Sequence, residues 1–110
     1  MIPETLSKIE SAIKKINQLD HKKKSEILTL LHDLKSEIQN LSDTHEAHAE
    51  SIAGFTEMAT HEAKRNQQDL SLLNHAVDGM ISSVKGFEVS HPKLVDTVNR
   101  ICQLLSDIGI

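Results

Sequence analysis

Apolar residues recur along most of this chain at alternating intervals of three and four, the spacing of helices that each turn one stripe away from water. Leu6, Ile9, Ile13 and Ile16, widened by Ala12, predict a first helix over about residues 3–17. Pro3 and Glu4 suit its first turn, where a missing N–H costs nothing and a negative charge meets the positive end of the helix dipole. A second helix, over about residues 21–41, follows Asp20 as N-cap. Its seam is Ile27, Leu31, Leu34, Ile38 and Leu41, broadened by Leu28 and Leu30. A third pattern fills about residues 43–88 behind Ser42 or Thr44 as cap, with Ile52, Phe55, Ala59, Ala63, Leu70, Leu73, Val77, Met80, Val84 and Phe87 on its seam and Asn66 in register with them. Gly86 and the Val89–Pro92 stretch mark a turn. Ser90 then reads as the cap of a fourth helix over about residues 91–107, which carries Leu94, Val98, Ile101, Leu105 and Ile108, and Gly109 ends it.

The third pattern governs the architecture. No proline occurs between Ser42 and Glu88. One helix of about 47 residues would be about 70 Å long, whereas a compact domain of about 100 residues has a radius of gyration near 13 Å. The rod must either break or project and find a partner. Two successive intervals of four between Phe55 and Ala63 form a stutter, and residues 60–69 are nearly all polar, so the rod could bend there or cross solvent there between two packed ends. Gly54 and Gly79 each weaken the helix by roughly 1 kcal/mol relative to alanine, and neither need break it. The first two helices can cover the early part of the rod and the fourth its late part. The expected fold is therefore all-α: one domain over residues 1–110, an elongated bundle of about four helices with one long central helix. Such a thin layer leaves apolar surface bare. Homo-oligomerisation, most economically as a homodimer, is the expected cover.

Composition narrows the function classes. The 110 residues contain 38% apolar side chains, no Trp or Tyr, and only Phe55 and Phe87 as aromatics, so a core must come from Ile, Leu, Val, Ala and Met seams. A net charge of −4 argues against nucleic acid as partner. Seven histidines complicate that charge, since their full protonation would bring it to about +3. No apolar run nears the roughly 18 residues that span a membrane, and Met1-Ile2-Pro3-Glu4 lacks signal-peptide character. The single Cys102 excludes an internal disulfide and fits a reducing compartment. A cytoplasmic protein is expected.

Histidine is the one unusual functional residue. His45 and His48 lie three apart and share a helix face; Glu57 and His61 lie four apart, with Glu62 beside them. Two imidazoles on one face can grip a divalent ion, and a tight site needs further ligands. The candidate metal set is His45, His48, His61 and Glu57. Against it stands a plainer reading, a polar stretch that lines a seam or faces water. The Lys22–Lys24 run reads as a solvated face, Cys102 as a buried inert thiol, and Met58 and Met80 as gap fillers. No nucleophile motif or glycine-rich phosphate loop is present. The chain is expected not to be an enzyme, and no cofactor is expected.

The stretch Gly86-Phe87-Glu88-Val89-Ser90-His91-Pro92-Lys93-Leu94, followed by Leu104 to Ile110, resembles the ending of a small bacterial family known only as a domain of unknown function. Pro3-Glu4-Thr5-Leu6 and Leu31-His32-Asp33-Leu34 are similar to it as well, while the middle, about residues 46–69, is longer than the resemblance leads one to expect. The likeness implies a small bacterial helical protein and transfers no activity, cofactor or catalytic residue. The reading that follows is a helical self-association and protein-interaction module, with a metal-binding helical module as the alternative.

Overall fold

The computed structural model describes residues 2–16, 19–65 and 70–108, with Ile108 described in its backbone alone. The predicted roles of Asn17, Asn66 and Gly109 lie outside the described residues. Five helices are present among them: α1 (Ile2–Lys14), α2 (His21–Ser42), α3 (Glu46–Ala63), α4 (Leu70–Ser83) and α5 (Pro92–Ile108). No strand occurs among the described residues.

The helices of the first stripes form as their patterns dictate. Leu6, Ile9, Ala12 and Ile13 are buried on α1, and Ile27, Leu31, Leu34, Ile38 and Leu41 on α2. Asp20 caps α2, its Oδ1 accepting the Lys23 N–H at 2.8 Å. The α2–α3 turn departs from expectation. Neither Ser42 nor Thr44 is the cap of α3; that position belongs to His45, which makes no side-chain capping bond. The hydroxyls of Ser42 and Thr44 point back into α2, donating to the carbonyls of Gln39 and Leu41. At the last corner the backbone of Gly86 takes φ +95°, a region open to glycine at little cost. The helix then opens at Pro92. The Ser90 hydroxyl pairs with the His91 ring rather than capping it.

The long central helix is not one helix. α3 ends at Ala63 with Lys64 as its C-cap, and α4 begins at Leu70 and packs against α3 as its most extensive neighbour. The whole chain measures 38 × 23 × 23 Å with a radius of gyration of 12.8 Å, so a 70 Å rod has no place in it. Burial decides the outcome. Leu73, Val77, Met80, Val84 and Phe87 are all buried in the folded-back arrangement. At about 1.5–3 kcal/mol per fully buried side chain, their burial is worth about 10 kcal/mol. Interrupting the helix forfeits about four internal hydrogen bonds, each worth about 1 kcal/mol net.

α3 is the hub. Each of the other four helices packs against it, and around it α1 touches α2, α2 touches α5, and α5 touches α4. Its inward positions are correspondingly small: Ala49, Ala53, Thr56, Ala59, Thr60 and Ala63 join Ile52 in the core. The buried threonines satisfy their hydroxyls within the helix, Thr56 on the Ile52 carbonyl at 2.7 Å and Thr60 on the Thr56 carbonyl at 3.0 Å. No buried side-chain nitrogen or oxygen among the described residues lacks a partner.

This packing removes the reason for expecting a second copy. Of the ten seam residues assigned to the rod, Ile52, Ala59, Ala63, Leu73, Val77, Met80, Val84 and Phe87 are buried by the chain itself, Phe55 is partly buried, and Leu70 alone is half-exposed. Met58 is a further departure. It fills no gap and stands 53% exposed.

Candidate functional site

The ring of helices around α3 does not close. α1 and α4 make no contact with each other among the described residues. The face of α3 between them carries Ala47, Ser51, Gly54, Met58 and His61, all exposed and spaced alternately four and three apart, with exposed Glu50 at its edge on the Glu57 side. Glu57 and Phe55 lie to either side of this face, since successive residues turn by about 100° around the axis. On the Glu57 side stands α1. On the other, Phe55 packs against Gly79 of α4 so closely that a Cβ on residue 79 would overlap the Phe55 ring.

Along the α1 flank the face forms an open groove of about 710 Å³. Ser7, Lys8, Ser11 and Ala12 of α1, with Lys15 just past its end, form one wall, and Gly54, Glu57, Met58, His61 and Lys64 form the floor and far end. At Gly54 a Cβ would meet no atom within 4 Å. Charge is lopsided here. Lys8, Lys15 and Lys64 line the groove against the single carboxylate of Glu57, and none of the four takes part in an ion pair. The ion pairs among the described residues lie elsewhere, Glu10–Lys14 on α1, Glu62–Arg65 at the end of α3 and Asp96–Arg100 on α5.

A second cluster sits at one end of the bundle. The α2–α3 turn and the α4–α5 corner meet at Phe87, whose buried ring is approached edge-on by His45, His48 and His91 at centroid distances of 5.5, 5.3 and 5.5 Å. His45 also lies 6.0 Å from His48 and 6.4 Å from His91. The Nδ1 atoms of His45 and His91 are each engaged by a neighbouring hydroxyl, that of Thr44 at 2.8 Å and that of Ser90 at 2.9 Å. Edge-to-face ring contacts of this kind contribute about 0.5–1.5 kcal/mol each beyond area burial. The arrangement pins two turns to each other.

The candidate metal set is divided between these places. His45 and His48 belong to the Phe87 cluster; Glu57 and His61 belong to the α1–α3 groove. His48 and His61 ride on the same unbroken helix, so a rise of 1.5 Å per residue sets them about 20 Å apart, and Glu57 about 13 Å from His48. One ion cannot be shared across that span. Among the described residues no three His, Cys, Asp or Glu side chains converge in a way that holds a metal ion. His91 is the member of the histidine cluster that spacing along the chain does not reveal, because it arrives from the other side of the fold.

Cys102 is buried between α5 and α4, with its Sγ 3.9 Å from the Val77 carbonyl and 3.9 Å from the Met80 sulfur. Burial, aided by the Asp78 carboxylate, pushes the thiol up to about 12. Both burial and the raised value disfavour the thiolate, the nucleophilic form.

No helix of the described chain is long and apolar enough to cross a membrane. No curated protein and no solved structure matches the chain. The similarity noted at Pro3–Leu6 and Leu31–Leu34 falls outside the stretch that the family comparison covers. Residues 57–110, from the end of α3 through α4 and the Phe87–Pro92 corner to the terminus, match the family model of a domain of unknown function, DUF4404, which bears out the resemblance drawn from that corner.

Proposed function

We propose that this protein is a non-enzymatic interaction module that receives a helix of another protein in the gap between α1 and α4. One observation carries the reading: the exposed face of α3 repeats at helical spacing, has small residues at Ala47, Ser51 and Gly54, and lacks the flanking helix that every other side of α3 has. Helices pack at about 8–10 Å between axes, closest where small side chains meet. Ala47, Ser51 and Gly54 allow that approach, and Met58 offers an adaptable apolar contact. The grooves lined by described residues are open to water. The one between α1 and α3 carries Ser7, Ser11, Glu57 and His61, and no hydrogen bond couples the serine, histidine and carboxylate side chains along it. Self-association loses its original support because the central seam is covered within one chain.

Photo-cross-linking tests the reading. A photoreactive side chain at Met58 of the full chain, produced in its source cell, should give one dominant adduct. Mass spectrometry should map that adduct to a helix-forming segment of another protein, and Gly54→Trp should suppress it. The same group at Ser36 on α2 should not give it. Equal labelling from both positions, or an adduct with a second copy of this chain, would overturn the proposal.

A further inference from the structure

We infer that the occupant of the α1–α3 groove is an acidic amphipathic helix, one that presents small or apolar residues to Gly54 and Met58 and carboxylates to the lysines around them. This rests on the interaction reading above and specifies the partner's chemistry. The argument is one of charge complementarity in a confined place. The chain as a whole carries −4, yet the groove is lined by Lys8, Lys15 and Lys64 with Glu57 as the one carboxylate, and all of them are free of ion pairs. Lys8 lies on α1 and Lys15 follows its last residue, Lys14, and both line the same wall of the groove. Lys64 closes the far end of α3. An incoming helix with glutamates along one edge meets Lys8 and Lys15, while its apolar stripe covers the open space above Gly54.

The same charges disfavour a second copy as occupant. A two-fold contact through this groove sets two copies of one surface against each other, each with three lysines to one glutamate, so faces of like net charge meet. A basic helix meets the same repulsion. Complementary rim charges act mainly on partner choice and association rate, and like charges set against each other exclude the wrong partner.

Two synthetic 21-residue helical peptides with the same alanine–leucine seam serve as probes, one flanked by glutamates and the other by lysines. Fluorescence anisotropy with the full-length protein at low salt is expected to show the acidic peptide binding at least tenfold more tightly than the basic one. Reversing the groove as Lys8→Glu, Lys15→Glu and Lys64→Glu together should invert that preference, whereas Lys85→Glu, outside the groove, should leave it unchanged. Gly54→Trp, which fills the groove, should weaken the acidic peptide at least tenfold. Circular dichroism verifies that each variant keeps its helix content, and Lys8→Gln with Lys15→Gln provides a milder pair that should narrow the preference. Equal binding of the two peptides, with both lost in Gly54→Trp, overturns the acidic occupant and leaves helix docking standing. Binding that ignores Gly54→Trp, or the absence of any binding, overturns it together with the groove. A dimer in light scattering that Gly54→Trp dissociates overturns it in favour of self-pairing.

Discussion

The Phe55 ring packs against Gly79, 24 residues further along the chain, at a spot where residue 79 has no room for a side chain. In a continuous helix these two positions would stand about 36 Å apart. Their contact is possible only because α4 folds back on α3, and the missing side chain is what lets the ring lie that close to the α4 backbone.

Two glycines in helix interiors should consequently respond in opposite directions to the same change. Gly54→Ala places a methyl in open space and removes glycine's helix penalty, so it should stabilise the chain by about 1 kcal/mol. Gly79→Ala gains the same propensity and collides with Phe55. Overpacking costs about 1–3 kcal/mol, so the net change should be a loss of roughly 1 kcal/mol. Urea midpoints of the two variants test this, and two shifts of the same sign would contradict the packing described.

Folding back is measurable directly. Spin labels at Glu46 and Glu88 flank the contact between His45 and Phe87, whose ring centroids are 5.5 Å apart. With Cys102→Ala as background, double electron–electron resonance should report a distance below the 38 Å length of the molecule. A continuous helix would set these labels about 63 Å apart.

Phe87 should be a stability hot spot although it lies in no helix. It is buried, meets His45 and His48 from the α2–α3 end of the bundle, and touches His91 within its own corner. Phe87→Ala should cost about 3–5 kcal/mol, a large part of the 5–15 kcal/mol typical of a domain. His48→Ala should cost only about 1 kcal/mol, the worth of one edge-to-face contact. Comparable losses from the two changes, read by urea denaturation, would show that the cluster does not centre on Phe87.

Cys102 makes stability fall at high pH. The native thiol keeps its proton up to about 12, against an ordinary value of 9.0, because burial penalises the thiolate. Between those values the unfolded chain binds fewer protons than the native one, so stability held below pH 9.0 is lost as pH rises toward 12. Cys102→Ala should decline less steeply than the parent between pH 9 and 11 in paired urea titrations. At pH 8 the native thiol should react with a disulfide reagent at least 100-fold more slowly than in urea, as expected of a buried, protonated sulfur. Rapid native labelling would show the site to be open.

Much of the local structure was legible because it depends on neighbours in the chain. The stripe on α1, the Asp20 cap and five-residue seam of α2, and the glycine corner at residue 86 all follow from spacing and backbone chemistry. The stutter and polar run at residues 60–69 left a bend and a solvent crossing both open, and α3 ends at Ala63. The metal candidates form two pairs, His45 with His48 and Glu57 with His61, each close in sequence, but His48 and His61 are thirteen residues apart on α3, too far along the helix to share one ion. The histidine cluster was half visible. His45 and His48 are near in sequence, whereas Phe87 and His91 reach them only through the fold.

By itself the amino-acid order determined that the chain is helical, which face of each helix is apolar, and which turns cap or stop it, since these are interactions among residues within about four positions of one another. Only the tertiary structure decided that the late seam covers the early one, that α3 becomes the hub, and that one of its sides stays bare between α1 and α4. The reason is that a stripe dictates that it be buried without naming its cover. That choice belongs to the balance of buried area against broken helix over the whole molecule.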